Sequence, residues 1–172
     1  MRILNMIEGK VVLTPECLCI SPFSEIWSKD KTKDKIQAHQ QIKYVWFFSD
    51  FNSPYYKYPE DARKESIIND IIRDKNFKVT SEIKEAIEVY KRLNTSPAIA
   101  AVDAAFTFMN KIQEYFKTVS LDDVDAKKIT DVFINMPKIV ASLNEAKKAA
   151  HAEEASTTKV RGNAVIGMFE NK

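Results

Sequence analysis

Between Gly9 and Gly162 the chain has no glycine; its three glycines, Gly167 among them, all lie near the ends of the 172 residues. Residues 10–161 thus lack any position that freely adopts positive φ, and they cannot build a glycine-lined phosphate cradle. What fills them is helical periodicity. After Ser96-Pro97, an N-cap followed by proline at the first helical position, Ile99, Val102, Phe106, Met109, Ile112 and Phe116 recur at steps of three and four. Ala98, Ala100, Ala101, Ala104 and Ala105 keep a second face small enough for close helix approach, which places this helix at the centre of a bundle.

Neighbouring segments follow the same rule. Thr80 or Ser81 caps a helix carrying Ile83, Ala86, Ile87, Tyr90 and Leu93, with glutamates near its start and Lys91 and Arg92 near its end, as the helix dipole favours. A third periodic run opens at Ser120 or Asp122 and passes through Ile129, Val132, Phe133, Met136, Val140 and Leu143. Pro137 interrupts it and predicts a kink or break just before it. Upstream, Pro59 with Glu60 and Asp61 starts a helix whose Ala62, Ile67, Ile68, Ile71 and Ile72 can face inward, and residues 34–49 allow another through Ile36, Ala38, Ile42, Val45 and Phe48.

The expected fold is therefore all-α: a single helical-bundle domain over residues 30–155, with Phe106, Met109, Ile112, Phe133 and Tyr90 in its core. Residues 1–29 form an extended N-terminal segment, broken by Pro15 and Pro22. Residues 156–172 form a C-terminal arm. An apolar fraction of 45% in a chain of this length supports one sizeable core. A net charge of +2 does not ask for a duplex nucleic acid partner. No apolar run suits a membrane span, and Glu8, Lys10 and Glu16 interrupt any signal-peptide core, so the expectation is a protein made and kept in a cytoplasm, with no membrane partner.

Chemistry-bearing patterns are weak. His39 and His151 are the only histidines and have no carboxylates at metal spacing, so both read as solvated and no metal is expected. Asp122, Asp123 and Asp125 lack the glycine and closing glutamate of a calcium loop and read as a helix cap. Cys17 and Cys19 are one residue apart, without the spacer of redox or zinc motifs, and read as reduced, partly buried residues. Lys29, Lys31, Lys33 and Lys35 alternate with Asp30 and Asp34, which largely cancels their field. No nucleophile–base pair, cofactor or phosphate loop can be assembled, so no enzyme is expected.

The densest feature is YVWFFSDFNSPYYKYPEDAR, residues 44–63, where rings crowd around Ser53-Pro54. Tyr55, Tyr56 and Tyr58 can bury a ring while keeping a hydroxyl near water, which suits an interface or the end of a bundle, and Arg63 can stack on them or pair with Asp50. Tyr44, Phe48, Asp50, Ser53-Pro54-Tyr55, Pro59, Glu60 and Arg63, followed by isoleucines, form a pattern that resembles small virion proteins of tailed bacteriophages, particularly neck or tail-ring proteins of crAss-like phages of gut Bacteroidales. The resemblance implies a mainly helical, non-catalytic subunit made in the bacterial host and located in the virion. Its partners would be copies of itself in a ring around the DNA exit channel, adjacent portal, neck or tail proteins, and DNA passing without sequence preference. Under that reading Tyr55, Tyr56, Tyr58 and Arg63 are interface candidates, as are Val165, Ile166, Met168 and Phe169 of the arm, which are too few to fold alone but enough to fill a groove or extend a sheet edge. The alternative is a small cytoplasmic helical adaptor or regulatory protein acting through protein–protein contacts.

Overall fold

The computed structural model describes residues 3–7, 9–74, 76–118 and 126–160, the side chains of 126, 128 and 157–160 aside. The chain divides into two compact units, Met1–Thr95 and Ser96–Lys172, so a boundary falls inside the span expected to be one bundle. The all-α class holds: the described residues are mostly helical, with one two-stranded sheet.

The first unit opens with strands β1 (Leu4–Ile7) and β2 (Lys10–Leu13), paired antiparallel with Leu4 opposite Leu13 and Ile7 opposite Lys10. Gly9 sits in their turn at φ 77, a conformation that suits glycine. Beyond the hairpin the extended reading of residues 1–29 fails. Pro15 begins a 3-10 turn (Pro15–Cys19), and Pro22 precedes helix α1 (Phe23–Lys29). Proline lacks the N–H that the first turn of a helix would leave unpaired, so here it starts helices instead of breaking strands. Cys17, Phe23 and Ile26 from this region enter the core.

Helix α2 (Ile36–Ser49) is the central element of the unit. Every residue from Tyr44 through Ser49 is buried, the signature of a helix covered on all sides. Around it pack α1, α3 (Glu60–Ile67), a π-helical turn (Ile68–Ile72) and α4 (Ser81–Asn94). α4 matches its expected pattern, with Ile83, Ala86, Ile87 and Tyr90 buried and the Thr80 hydroxyl accepting from the Ile83 N–H at 3.4 Å. In α3 the inward residues are Arg63 and the expected Ile67, while Ala62 is exposed.

The start of α2 is held from outside the helix. Lys35 is left-handed, at φ 50, which delays the start to Ile36. Asp30, five residues earlier and itself buried, accepts from the Ala38 N–H at 3.0 Å and from the Thr32 hydroxyl at 2.7 Å. Those bonds, Ala38's foremost, hold its carboxyl down at about 2.

The second unit is a helical hairpin of α5 (Pro97–Thr118, 22 residues) and α6 (Ala126–Val160, 35 residues). Ser96 accepts from the Ile99 N–H at 3.2 Å, so the Ser-Pro start is as expected. Phe116 stacks on Phe133 at 5.4 Å and the Lys147 ammonium lies 4.8 Å over the Phe106 ring, which makes the two helices antiparallel. Along α6, Ile129, Val132, Met136, Ile139, Leu143, Ala146 and Ala150 recur at alternating steps of three and four, and all are at least half-buried. That is a coiled-coil seam. Pro137 does not break α6, which continues through it; Phe133 and Pro137 are both exposed.

The expected core is not found here. Tyr90 is buried, but in the first unit; Phe106, Met109 and Ile112 are only half-buried, and Phe133 is 60% exposed. Periodicity marks an apolar face, but a two-helix hairpin cannot enclose one, so α2 takes the central place expected for α5.

Candidate interaction surfaces

The aromatic corner is assembled around Arg63, which is only 7% exposed. Its guanidinium donates to three main-chain carbonyls: Nη1 to Phe48 at 3.0 Å, Nη2 to Tyr58 at 2.9 Å and to Tyr56. Its carbon centre lies 4.8 Å from the Tyr56 ring and 5.4 Å from that of Phe48, so the expected stacking is found. A planar fork with five donors can meet this set, where a lysine ammonium would span fewer. Asp50, also buried, accepts from the Tyr90 hydroxyl at 2.6 Å and from the Asn52 N–H at 2.9 Å, tying the corner to α4. The Ser53 hydroxyl donates to the Phe47 carbonyl and closes the turn.

The corner residues therefore separate. Tyr56 and Arg63 are internal braces, with little surface left to offer a partner. Tyr55 is half-buried, edge-on to Phe47 at 5.9 Å, with its hydroxyl 3.2 Å from Asp70; burial first, and that carboxylate next, raise its pKa. Burial likewise pushes Tyr44 up to about 12. Tyr58, 39% exposed, is the corner candidate that reaches solvent. Val165, Ile166, Met168 and Phe169 lie outside the described residues, as do Asp122, Asp123 and Asp125.

Other sequence candidates take structural places. Lys29 pairs with Glu82, an interaction that holds the Glu82 carboxyl down at about 2. The Lys35 ammonium donates to the carbonyls of Trp27, at 3.1 Å, and Asp30. His39 is exposed and lies edge-on to Trp27 at 5.2 Å, and His151 lies 3.8 Å from Glu154. Cys17 is buried, which pushes its thiol up to about 12, while Cys19 is exposed. Among the described residues no three histidine, cysteine or acidic side chains gather to hold a metal, and no helix is long and apolar enough to cross a membrane.

Two larger surfaces stand out among the described residues. The first is on the hairpin, where Phe108 is 51% exposed, Ile134 63%, and Tyr115 and Val140 are also exposed along with Phe133. Tyr115 meets Phe116 at 5.9 Å, and Phe116 stacks on Phe133, so the rings form a continuous aromatic run across both helices. At 150–250 Å² per fully buried ring, the three exposed rings leave roughly 300 Å² of apolar surface in water, and Ile134 and Val140 add to it.

The second is a cleft of about 790 Å³ in the first unit. β2 forms one wall; Leu18, Trp27 and the Ile36, His39 and Lys43 side of α2 form the rest. Sequence reading did not find it, because it joins residues more than twenty positions apart. The only hint was the short apolar run Val11-Val12-Leu13. No protein-family model matches the chain, and neither does any curated protein or solved structure.

Proposed function

We propose that this chain is a structural subunit of a tailed-bacteriophage virion, one of several copies that close a ring at the neck or tail around the DNA exit channel. The observation that carries the proposal is the set of large apolar side chains exposed on the α5–α6 hairpin: Phe108, Tyr115, Phe133, Ile134 and Val140. An interface between two chains buries about 800 Å² on each side, and the exposed set supplies part of such a surface. The apolar side chains left exposed beside the seam would be covered by helices from another copy, giving a wider bundle. The resemblance at residues 44–63 supplies the setting: adjacent portal, neck or tail proteins as further partners, and a virion location.

The test is the mass of the full chain in solution, by light scattering and native mass spectrometry, alone and mixed with neighbouring virion proteins. Discrete closed oligomers are expected, and Phe108→Glu with Ile134→Glu should dissociate them while leaving the first unit folded. A monomer at all concentrations, with or without those neighbours, overturns the ring. A one-to-one complex with an unrelated protein would replace it with the adaptor reading.

A further inference from the structure

The cleft in the first unit is lined by Lys10, Val11, Val12, Leu13 and Thr14, five consecutive residues. Successive side chains of a strand point to opposite faces, so a groove on one face would touch alternate residues only. Contact with all five, and with Ile36, His39 and Lys43 of α2 across from them, sets the cleft along β2 on the side away from β1. The register confirms which groups line that edge. Thr14 donates to the Ile3 carbonyl at 3.1 Å, so Thr14, Val12 and Lys10 turn their main-chain groups toward β1, and Val11 and Leu13 turn theirs away from it. The Thr14 hydroxyl is buried and finds no hydrogen-bond partner among the described residues. Val12, Trp27 and Ile36 give the cleft apolar walls, and Ile36 is 57% exposed.

We infer that this cleft is a strand-addition site whose occupant is residues 164–169 of a neighbouring copy, an inference that rests on the self-assembling reading above. The segment beyond Val160 reads RGNAVIGMFENK. Its run Ala164, Val165, Ile166, Gly167, Met168, Phe169 has no polar side chain on either alternating face, which suits a strand walled on both sides. Twelve residues at about 3.3 Å each span roughly 40 Å, enough to leave one subunit and enter another. Charge fixes the direction. Antiparallel pairing of Phe169 with Val11 sets Gly167 opposite Leu13, both at hydrogen-bonding positions of the free edge. It also sets Glu170 opposite Lys10 at a non-hydrogen-bonded position, where side chains are closest. Main-chain bonds at Val11 and Leu13 supply affinity, and the apolar walls supply selectivity.

The experiment is photo-crosslinking of the full chain carrying a benzophenone side chain in place of Phe169, with isotopically light and heavy copies mixed. Adducts are expected between copies, on residues 10–18 or 27. Lys10→Glu and Glu170→Lys should each lower their yield about tenfold, and the double exchange should restore it. Val11→Pro removes an edge N–H that β1 does not use, so the hairpin persists while the adduct is lost. Adducts only within one chain, adducts elsewhere, or undiminished yield from Val11→Pro overturn the inference. Oligomer mass on the same samples keeps the two proposals apart: a ring that persists with adducts elsewhere sinks the cleft alone. For a chain that stays monomeric, a synthetic peptide of residues 161–172 is titrated against it. Saturable quenching of tryptophan fluorescence that Val11→Pro abolishes sustains the cleft and sinks the ring, and no quenching sinks both.

Discussion

Arg63 offers the sharpest test of how the first unit is held. Truncation to alanine leaves the carbonyls of Phe48, Tyr56 and Tyr58 without their donor. Tyr58 lies at the surface, where water can replace the guanidinium; the other two carbonyls are buried, at a cost of about 1 to 3 kcal/mol each. The guanidinium also stacks between Tyr56 and Phe48, an arrangement that contributes about 1 kcal/mol. Against these stands relief from burying a charge, several kcal/mol before compensation. The balance puts Arg63→Ala at about 2 to 4 kcal/mol. Arg63→Met keeps an apolar stem and removes the guanidinium with its donors and charge, so about 2 to 3 kcal/mol is expected, and Arg63→Lys should fall between Met and wild type. The assay is urea unfolding followed by tryptophan fluorescence. Both tryptophans, Trp27 and Trp46, lie in this unit, so the signal reads it alone. An Arg63→Met variant within about 1 kcal/mol of wild type would refute the view that the carbonyl fork holds the corner.

Three further outcomes are expected. Asp30 has a folded pKa near 2 against 3.8 as its ordinary value, so its contribution is complete above pH 3.8 and disappears as pH falls from there toward 2. Asp30→Asn should flatten the stability profile across that window, and an unchanged acid slope would contradict the cap on α2. Iodoacetamide at pH 8 should modify Cys19 alone in the native chain and both thiols after denaturation, as peptide mass spectrometry can show; equal native labelling would contradict the burial of Cys17. Pro137→Ala restores an N–H for the Phe133 carbonyl inside α6 and should stabilise the hairpin by up to about 3 kcal/mol in thermal circular dichroism, with no gain or a loss indicating that α6 needs the proline.

Helix starts were legible in the residues themselves. Thr80 and Ser96 accept from the N–H three positions on, as an N-cap does, and Pro97 opens α5. The buried stripe of α4 was also readable. Both signals act across three or four residues, and no distant partner is needed to express them. The stacking of Arg63 was readable as well, because its rings lie close by in sequence. Periodicity shows which side of a helix is apolar, but not what covers it. The matching stripe of α5 is therefore half-exposed, while the aromatic end of α2 is enclosed. Asp30 caps a helix from eight residues before the N–H it accepts, across a left-handed Lys35 that no propensity announces. The β2 cleft depends on a hairpin edge and α2 meeting in space, and Arg63 is a brace because three carbonyls converge on it. Local chemistry is written in consecutive residues, whereas enclosure depends on which surfaces the chain brings together, so only the tertiary structure decided it.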